Sequence, residues 1–512
     1  MCTKKLQVTG GLIAVLLASA VPATSETVFL HTLDNSISLS GELLSFDGVT
    51  YIIQTAIGEL SLAAKDAVCE GVSCPVLVNQ NTLSIAGSQI MNNNLLPHLI
   101  ESFAMSQDLE VLETSGASSA ESLYSLSDKA GEDYGEISAS SEDLQTALTS
   151  LADYVPKIIT TSVAMLEMAV PGEDIKEYGV ALDALVFVVA PNNPVHALSA
   201  DELAGIFSGK ITNWAELGGT DNVISLYRPD ETAEVSSYME ANILAPNGKT
   251  MSSQATVLSS SAKVARAVAA DAYAIGYTNL AQASDAKILP VRGACDILSY
   301  PTPFALKSGE YPYGRDLYVT RSANVQAEML DVFWKFMQTA EAELAVQTAG
   351  FVDKTITTQP IAMQGERMLS MILSDAENTT FKVVQKLAVE LRGAQRISTT
   401  IRSDYGIANL NAVNMQDIAR LARYLGALDL THKEVLILGF TDSAGSAITN
   451  NRLSLKRAGF VKDQLVAELE KAGHEISIIT KGYGEASPLY CNASEVGRNI
   501  NRRVEIWIRD IR

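Results

Sequence analysis

Histidine and cysteine are scarce in this chain: five of each occur among 512 residues. His31, His98, His196, His432 and His474 are scattered, and none stands in an HExxH arrangement or beside a cysteine. The spacing of a zinc protease or of a Cys–His nucleophile is therefore missing. No Gly-rich loop follows the P-loop pattern, and no two carboxylates stand out as an acid–base couple. The expectation is a protein that is not an enzyme and needs no metal and no cofactor. Basic residues are also short. Lys and Arg number 38 against 59 Asp and Glu, a formal net charge of −21. That balance disfavours nucleic acid and anionic membranes as partners. Beyond the first twenty residues there is no apolar run long enough to span a bilayer as a helix.

What is present begins with an export signal. Lys4 and Lys5 precede an apolar run over residues 12–20, and Pro22-Ala23-Thr24-Ser25 offers small residues for cleavage before Glu26. Residues 1–25 read as a secretory signal peptide. Cys2 leaves with it and sits in no lipoprotein cleavage box. Export permits disulfides among the remaining four cysteines. Cys69 and Cys74, in Cys-Glu-Gly-Val-Ser-Cys, are spaced for a small disulfide loop. No other Cys or His lies near them in sequence to complete a metal site. Cys295 and Cys491 remain, and spacing alone does not decide whether they pair.

The length suggests about three domains, and an apolar share of 47% allows sizeable cores. Residues 26–78 read as a small β module. Its strands are expected at 28–30, 37–39, 42–44, 50–53 and 59–62, with turn signals such as Asp47-Gly48 between them. Residues 79–340 alternate strands with helices. A strand at 83–87 runs into Ser88 and a helix carrying Leu95, Leu99, Ile100 and Phe103. The continuous apolar run 184–190, bounded by Pro191 and Pro194, reads as a buried strand of a mostly parallel sheet. Helical patterns cover 199–207 and 261–271, and the alternation argues an α/β architecture. Residues 341–395 read as a helical linker with amphipathic stretches at 364–373 and 381–391. Residues 396–512 form a last domain. It has a helix at 418–425, a strand at 435–438 and a helical face of Leu453, Ala458, Val461, Leu465 and Leu469. A strand at 476–479 follows, and alternating Val504, Ile506 and Ile508 read as a half-buried strand.

In the middle region several blocks fall in a fixed order. They are Ile85-Ala86-Gly87-Ser88, Pro191-Asn192-Asn193-Pro194, Phe207-Ser208-Gly209-Lys210-Ile211-Thr212-Asn213-Trp214, Arg228-Pro229-Asp230, Ala274-Ile275-Gly276-Tyr277 and Arg315-Asp316-Leu317-Tyr318. This order resembles the phosphate-binding proteins of ABC uptake systems. The resemblance implies a two-lobed periplasmic-binding fold, an oxyanion ligand (phosphate or a similar one) and an ABC permease as partner. It puts the oxyanion on Gly87, Ser88, Ser140, Ser141, Arg228 and Thr232, using backbone N–H groups, hydroxyls and a guanidinium. Two loops depart from the family pattern. Where Ser-Ser-Arg is usual, the chain reads Ser140-Ser141-Glu142, and where Ser-Gly-Thr is usual it reads Thr232-Ala233-Glu234. Carboxylates there oppose a phosphate unless they are turned away, protonated or paired. The alternative is a cleft that has lost or changed its ligand, in a structural or adhesion protein of the envelope. Locally, Ser88 competes as a helix N-cap and Arg228 as a surface ion-pair partner.

Near the C-terminus stand Gly439-Phe440-Thr441-Asp442, Asn450, Leu453-Ser454, Arg457-Ala458, Gly497-Arg498 and Asn501-Arg502-Arg503-Val504-Glu505. An acid and a base at a fixed offset suit a zwitterion, with its ammonium on Asp442 and its carboxylate on Arg457. These blocks resemble the OmpA-like peptidoglycan-binding domain. The resemblance implies that Asp442 and Arg457 hold the diaminopimelate of peptidoglycan, that Thr441 and Asn450 shape the loop, and that Arg503 lines the same site. The competing readings are an Asx-turn for Asp442, a surface ion pair for Arg457, and structural pairing of Arg502 and Arg503 with acids such as Glu485. Ser403 stands where the family often carries Phe, which touches packing more than binding. The expected fold class is α/β: a two-lobed periplasmic-binding fold, a C-terminal OmpA-like α/β sandwich and a small N-terminal β module. The expected location is the periplasm, at the peptidoglycan and the outer membrane.

Overall fold

The computed structural model describes residues 27–511 except 33–36, 47–49, 64–65, 72–73, 75–80, 117–120, 150, 152–154, 166–173, 284, 366, 368–380 and 403–409. The expected signal peptide, the Asp47-Gly48 turn, most of the stretch 364–373 and Ser403 lie outside the described residues. The chain divides into two compact units, Met1–Val78 and Asn79–Arg512.

The first unit is one antiparallel sheet. Its strands lie in the order Gly58–Ala63, Thr50–Thr55, Ser38–Phe46, Thr27–Thr32 and Ala67–Glu70. Alternate residues Val28, Leu30, Tyr51 and Ile53 are fully buried, as a sheet with one covered face requires. The two short strands expected at 37–39 and 42–44 are one, because Gly41 continues the ladder instead of breaking it. Cys69, on the last strand, is disulfide-bonded to Cys74 with Cα atoms 5.6 Å apart.

In the second unit an eleven-stranded sheet runs through two lobes. The first lobe centres on three parallel strands, Lys157–Thr161, Thr82–Gly87 and Asp133–Ser141. The second centres on Ser225–Pro229, parallel to both Thr256–Leu258 and Ala274–Asn279. Two long strands, Ile175–Val189 and Gly314–Ser322, pair antiparallel and connect the lobes. Their register breaks between Gly179 and Ala181, a bulge of the kind that bends a strand where it changes lobe.

The run 184–190 was expected in a mostly parallel sheet. It is instead antiparallel to each of its partners, Ala274–Asn279, Lys287–Leu289 and Gly314–Ser322. A strand covered on both faces is apolar throughout whichever way its neighbours run, so hydropathy does not carry direction. Phe187, Phe207 and Tyr277 form the aromatic centre of this lobe. The chain then returns to the first lobe, where Phe333 and Phe336 pack on Phe103.

The C-terminal domain is a five-stranded sheet ordered Thr358–Pro360, Gln395–Arg402, Arg503–Asp510, Lys433–Gly439 and Ile478–Gly482. Helices Ala412–Gly426 and Ala447–Lys471 cover one face through Ile418, Leu421, Leu425, Val461 and Leu465. Helix Phe381–Leu391 covers the other, setting Leu387 and Leu391 on Leu436, Leu438, Phe440 and Trp507. The stretch read as a linker is thus structural: it supplies an edge strand and the second helical layer. For the same reason the strand read as half-buried is buried on both faces. Glu505 and Trp507 alternate with Val504 and Ile506, and all four are inaccessible or nearly so.

Contacts within the second unit join this domain to both lobes. Arg402 Nη2 donates to the carbonyls of Ser308 (2.8 Å) and Gly309 (2.7 Å). Arg396 pairs with Glu310. Gln416 Nε2 donates to the Glu177 carbonyl at 2.7 Å, and the Arg420 guanidinium lies over Tyr178. A disulfide between Cys295 and Cys491, 196 residues apart, adds a covalent tie. Loss of a long-loop crosslink typically costs about 2–4 kcal/mol. The double variant Cys295→Ser/Cys491→Ser is therefore expected to unfold at clearly lower guanidinium concentration than the wild type. An unchanged midpoint would contradict this.

Candidate functional site

The interlobe cleft is built at strand ends. Gly87 closes its strand at φ +123°, and a Cβ there would come within 2.3 Å of the Thr160 carbonyl, so only glycine fits. The Ser88 N–H donates to that same carbonyl at 2.9 Å. Asn92 fastens the neighbouring strands, donating to the Ser140 carbonyl (2.7 Å) and accepting from Thr160 Oγ1 (3.0 Å). The loop frame expected around Gly87, Ser88 and Ser140 therefore exists.

Its side-chain donors are all engaged by the protein itself. Ser88 Oγ donates to Glu234 Oε1 at 2.7 Å and also accepts from the Met91 N–H at 3.4 Å, so it caps its helix as well. Ser140 Oγ donates to Glu142 Oε1 (2.8 Å), and Ser141 Oγ to Asn93 Oδ1 (3.4 Å). Thr232 Oγ1 donates to Asp230 Oδ1 (2.8 Å) in an Asx-turn. Arg228 Nη2 donates to the exposed Glu231 at 2.7 Å, the ion-pair alternative for this residue.

The guanidinium that faces Glu234 belongs to Arg315, which in the sequence stands only within the block Arg315-Asp316-Leu317-Tyr318. Arg315 Nη1 lies 3.9 Å from Glu234 Oε2, while Nη2 donates to Asp183 Oδ2 (2.9 Å) and Asn279 Oδ1 (2.6 Å). Its guanidinium also lies over the Tyr238 ring. Burial raises the Tyr238 hydroxyl pKa, and the Arg315 charge works against that rise. Beside Arg315 a cavity of about 560 Å³ opens, lined also by Ser162, Tyr238, Arg402, Asn411 and Asn414.

In the C-terminal domain two glycines bring helix and strand together. A Cβ on Gly439 would lie 1.9 Å from the Ser454 carbonyl, and one on Gly482 would lie 2.4 Å from the Leu455 amide. This close approach sets helix Ala447–Lys471 across the strand ends, with Asp442 on the loop before it and Arg457 within it. Both are buried, at 3% and 2% exposure. Asp442 Oδ1 accepts from the Ala444 N–H (3.1 Å), and Asn450 Nδ2 donates to the Asp442 carbonyl (3.4 Å). Asn450 thus shapes the loop, as expected. The Thr441 N–H donates to the Gly484 carbonyl at 2.9 Å.

Asp442 Oδ2 accepts from Arg502 Nη1 at 2.8 Å, and Arg502 Nη2 donates to Glu495 at 2.7 Å. The Arg457 pKa is lowered by burial, against the pull of Asp442 and with the push of Arg502. Asp442 is thus ion-paired with Arg502, and Arg457 lies within electrostatic reach of both.

Arg503 is not part of it. It points to the opposite face, donating to Glu505 Oε1 (2.6 Å) and the Ser487 carbonyl (2.7 Å), with its guanidinium over Phe440. The residue that reaches Asp442 is its neighbour. Strand parity carried part of that signal: Arg503 shares a face with Glu505 and Trp507, while Arg502 precedes the strand at the end of helix Glu495–Asn501.

A family model described as a PBP superfamily domain matches residues 80–341. The chain belongs to the PBP superfamily. An OmpA family model matches residues 404–502. Three relatives divide between these regions. Phosphate-binding protein PstS of Borreliella burgdorferi is 26% identical over 186 residues, which are 35% of this chain and 65% of that protein. Outer membrane porin F of Pseudomonas aeruginosa is 34% identical over 110 residues, 22% of this chain and 30% of the porin. Peptidoglycan-binding protein ArfA of Mycobacterium tuberculosis is 46% identical over 74 residues, 14% of this chain and 22% of that protein. The chain thus spans less than two thirds of each relative. Two PBP-region positions, Glu142 and Glu234, are the departures noted in the sequence, and each accepts a hydrogen bond from a serine hydroxyl. No helix of the described residues is long and apolar enough to cross a membrane.

Proposed function

We propose that this is a periplasmic solute-binding protein, exported by its N-terminal signal and held non-covalently to peptidoglycan by its C-terminal domain. It performs no catalysis. The observation that carries the tether is the burial of Asp442 with Arg457 and Arg502 at one helix–strand junction, acid and base in reach of one zwitterion. The printed name of the relative ArfA, a peptidoglycan-binding protein, supports the same reading. The diaminopimelate side chain offers the matching ammonium and carboxylate. The wall then keeps the cleft at high local concentration near the envelope. Purified full-length protein is expected to co-sediment with isolated sacculi and to be released by free meso-diaminopimelate. Protein left in the supernatant would refute the tether.

The ligand class of the cleft follows the relative PstS, a phosphate-binding protein: an oxyanion, with an ABC permease as the downstream partner. A second reading has a specific observation behind it. Four of the five side-chain donors assigned to the oxyanion meet carboxylates of the protein instead. On that reading the domain organises the envelope and transports nothing. Calorimetry of the full-length protein with inorganic phosphate separates the two: heat at micromolar or millimolar phosphate supports capture, and silence throughout that range supports the second reading.

A further inference from the structure

We propose that Glu234 is a built-in counter-ligand: its carboxylate stands where a captured oxyanion would bridge the lobes, and latches the cleft without solute. The inference rests on the solute-binding reading of the cleft and goes beyond it. A ligand that closes two lobes must be gripped from both sides. Glu234 does this from within. It belongs to the second lobe, at the start of helix Glu234–Met239. One carboxylate oxygen accepts from Ser88 of the first lobe at 2.7 Å. The other faces Arg315 on a strand that joins the lobes, 3.9 Å away.

The surroundings are those of an anion already in place. The Ser88 N–H is spent on the Thr160 carbonyl. Arg315 is fixed by Asp183 and Asn279 and is 4% exposed, so it cannot swing out to meet a free anion. Ser140 is held by Glu142, so a second hydroxyl is also turned inward to a carboxylate. A phosphate approaching Arg315 would meet the two carboxylates already facing that guanidinium, Asp183 and Glu234, both of the same charge sign as the anion. A threonine, which the family resemblance implies at this position, would offer a hydroxyl that donates to an oxyanion where a carboxylate competes with it. One substitution therefore turns a donor for the ligand into a replacement for it.

The test uses the full-length protein and inorganic phosphate. The wild type is expected to bind phosphate only weakly, with a dissociation constant of about 1–10 mM, because the anion must displace Glu234. Glu234→Thr is expected to bind at least about 100-fold tighter than the wild type. By X-ray scattering, Glu234→Thr without phosphate should be more open than the wild type and should close when phosphate is added. Ser88→Ala removes the latch's donor but keeps the carboxylate, so it should open without gaining phosphate affinity. Circular dichroism confirms that each variant is folded. Tight phosphate binding by the wild type overturns the inference while leaving the solute-binding reading intact. Opening of Glu234→Thr without any phosphate binding keeps the latch and overturns the oxyanion reading of the cleft. Neither opening nor binding in that variant overturns the role of Glu234.

Discussion

Replacing Glu505 by alanine is expected to destabilise the C-terminal domain by about 3–5 kcal/mol, the usual consequence of leaving buried charges without their partner. Glu505 is fully buried in the middle strand of the sheet. Its Oε1 accepts from Arg503 Nε (2.6 Å) and Arg367 Nη1 (2.9 Å) and lies 3.5 Å from Arg396 Nη2. Its Oε2 accepts from Trp507 Nε1 at 2.9 Å. Arg396 also pairs with Glu310 of the second lobe, so the cluster ties the domain to the cleft-bearing part. Burial alone would raise the Glu505 pKa, but the three arginines outweigh it and hold the carboxyl far below the usual range.

The sign of the pH effect follows. A folded-state pKa below the unfolded one adds stability that is complete above the unfolded value and is lost as pH falls through the folded value. Glu505→Gln keeps size and one acceptor oxygen but lacks the charge, and its amide nitrogen faces an N–H donor where the second carboxylate oxygen accepted. Its deficit against the wild type should be full at neutral pH and shrink as pH drops below the ordinary carboxylate range. Urea unfolding across that range measures it. A deficit that is independent of pH would mean that the arginines are not held by the Glu505 charge.

This cluster shows what one sequence can and cannot convey. The apolar alternation of Val504, Ile506 and Ile508 is legible, and it identifies the strand. It does not say that the other face is also covered, because the cover comes from helix Phe381–Leu391, more than a hundred residues upstream. An acid facing such a layer reads as exposed until its arginines are found, and those lie on Arg367, Arg396 and Arg503, three separate segments. The cleft repeats the lesson. Glu142 and Glu234 are legible as departures, but that Glu234 crosses to Ser88 depends on the lobes folding over one another. By contrast, the placement of Asp442 on the loop and of Arg457 in the helix after it is legible, since one local strand–loop–helix unit carries both.

Wall retention is expected to fall at least about 30-fold in Arg457→Ala and in Asp442→Asn, in line with truncating one partner of a buried charge pair. Asn is the better test at position 442, for a structural reason. Asp442 pairs with Arg502 and attracts Arg457, and it also accepts the Ala444 N–H that shapes the loop. Alanine would leave two buried guanidiniums facing each other and would unbind the loop, so lost retention could reflect lost structure. Asparagine keeps the Ala444 acceptor and the side-chain size, and removes the charge that an ammonium needs together with the oxygen that accepts from Arg502. Arg502→Gln separates the roles further. If Arg502 only holds Asp442 in position, the variant frees the carboxylate, and a ligand ammonium no longer competes with an internal cation. If Arg502 also grips the ligand carboxylate beside Arg457, the variant loses retention as Arg457→Ala does. The two guanidiniums act on one acid, and a zwitterion's carboxylate gains from both once its ammonium has replaced Arg502 on Asp442. Arg502→Gln is therefore expected to weaken co-sedimentation with sacculi, though less than Arg457→Ala, because relief of the internal competition offsets part of the loss. Retention equal to wild type in both Arg457→Ala and Asp442→Asn would remove this junction as the wall site.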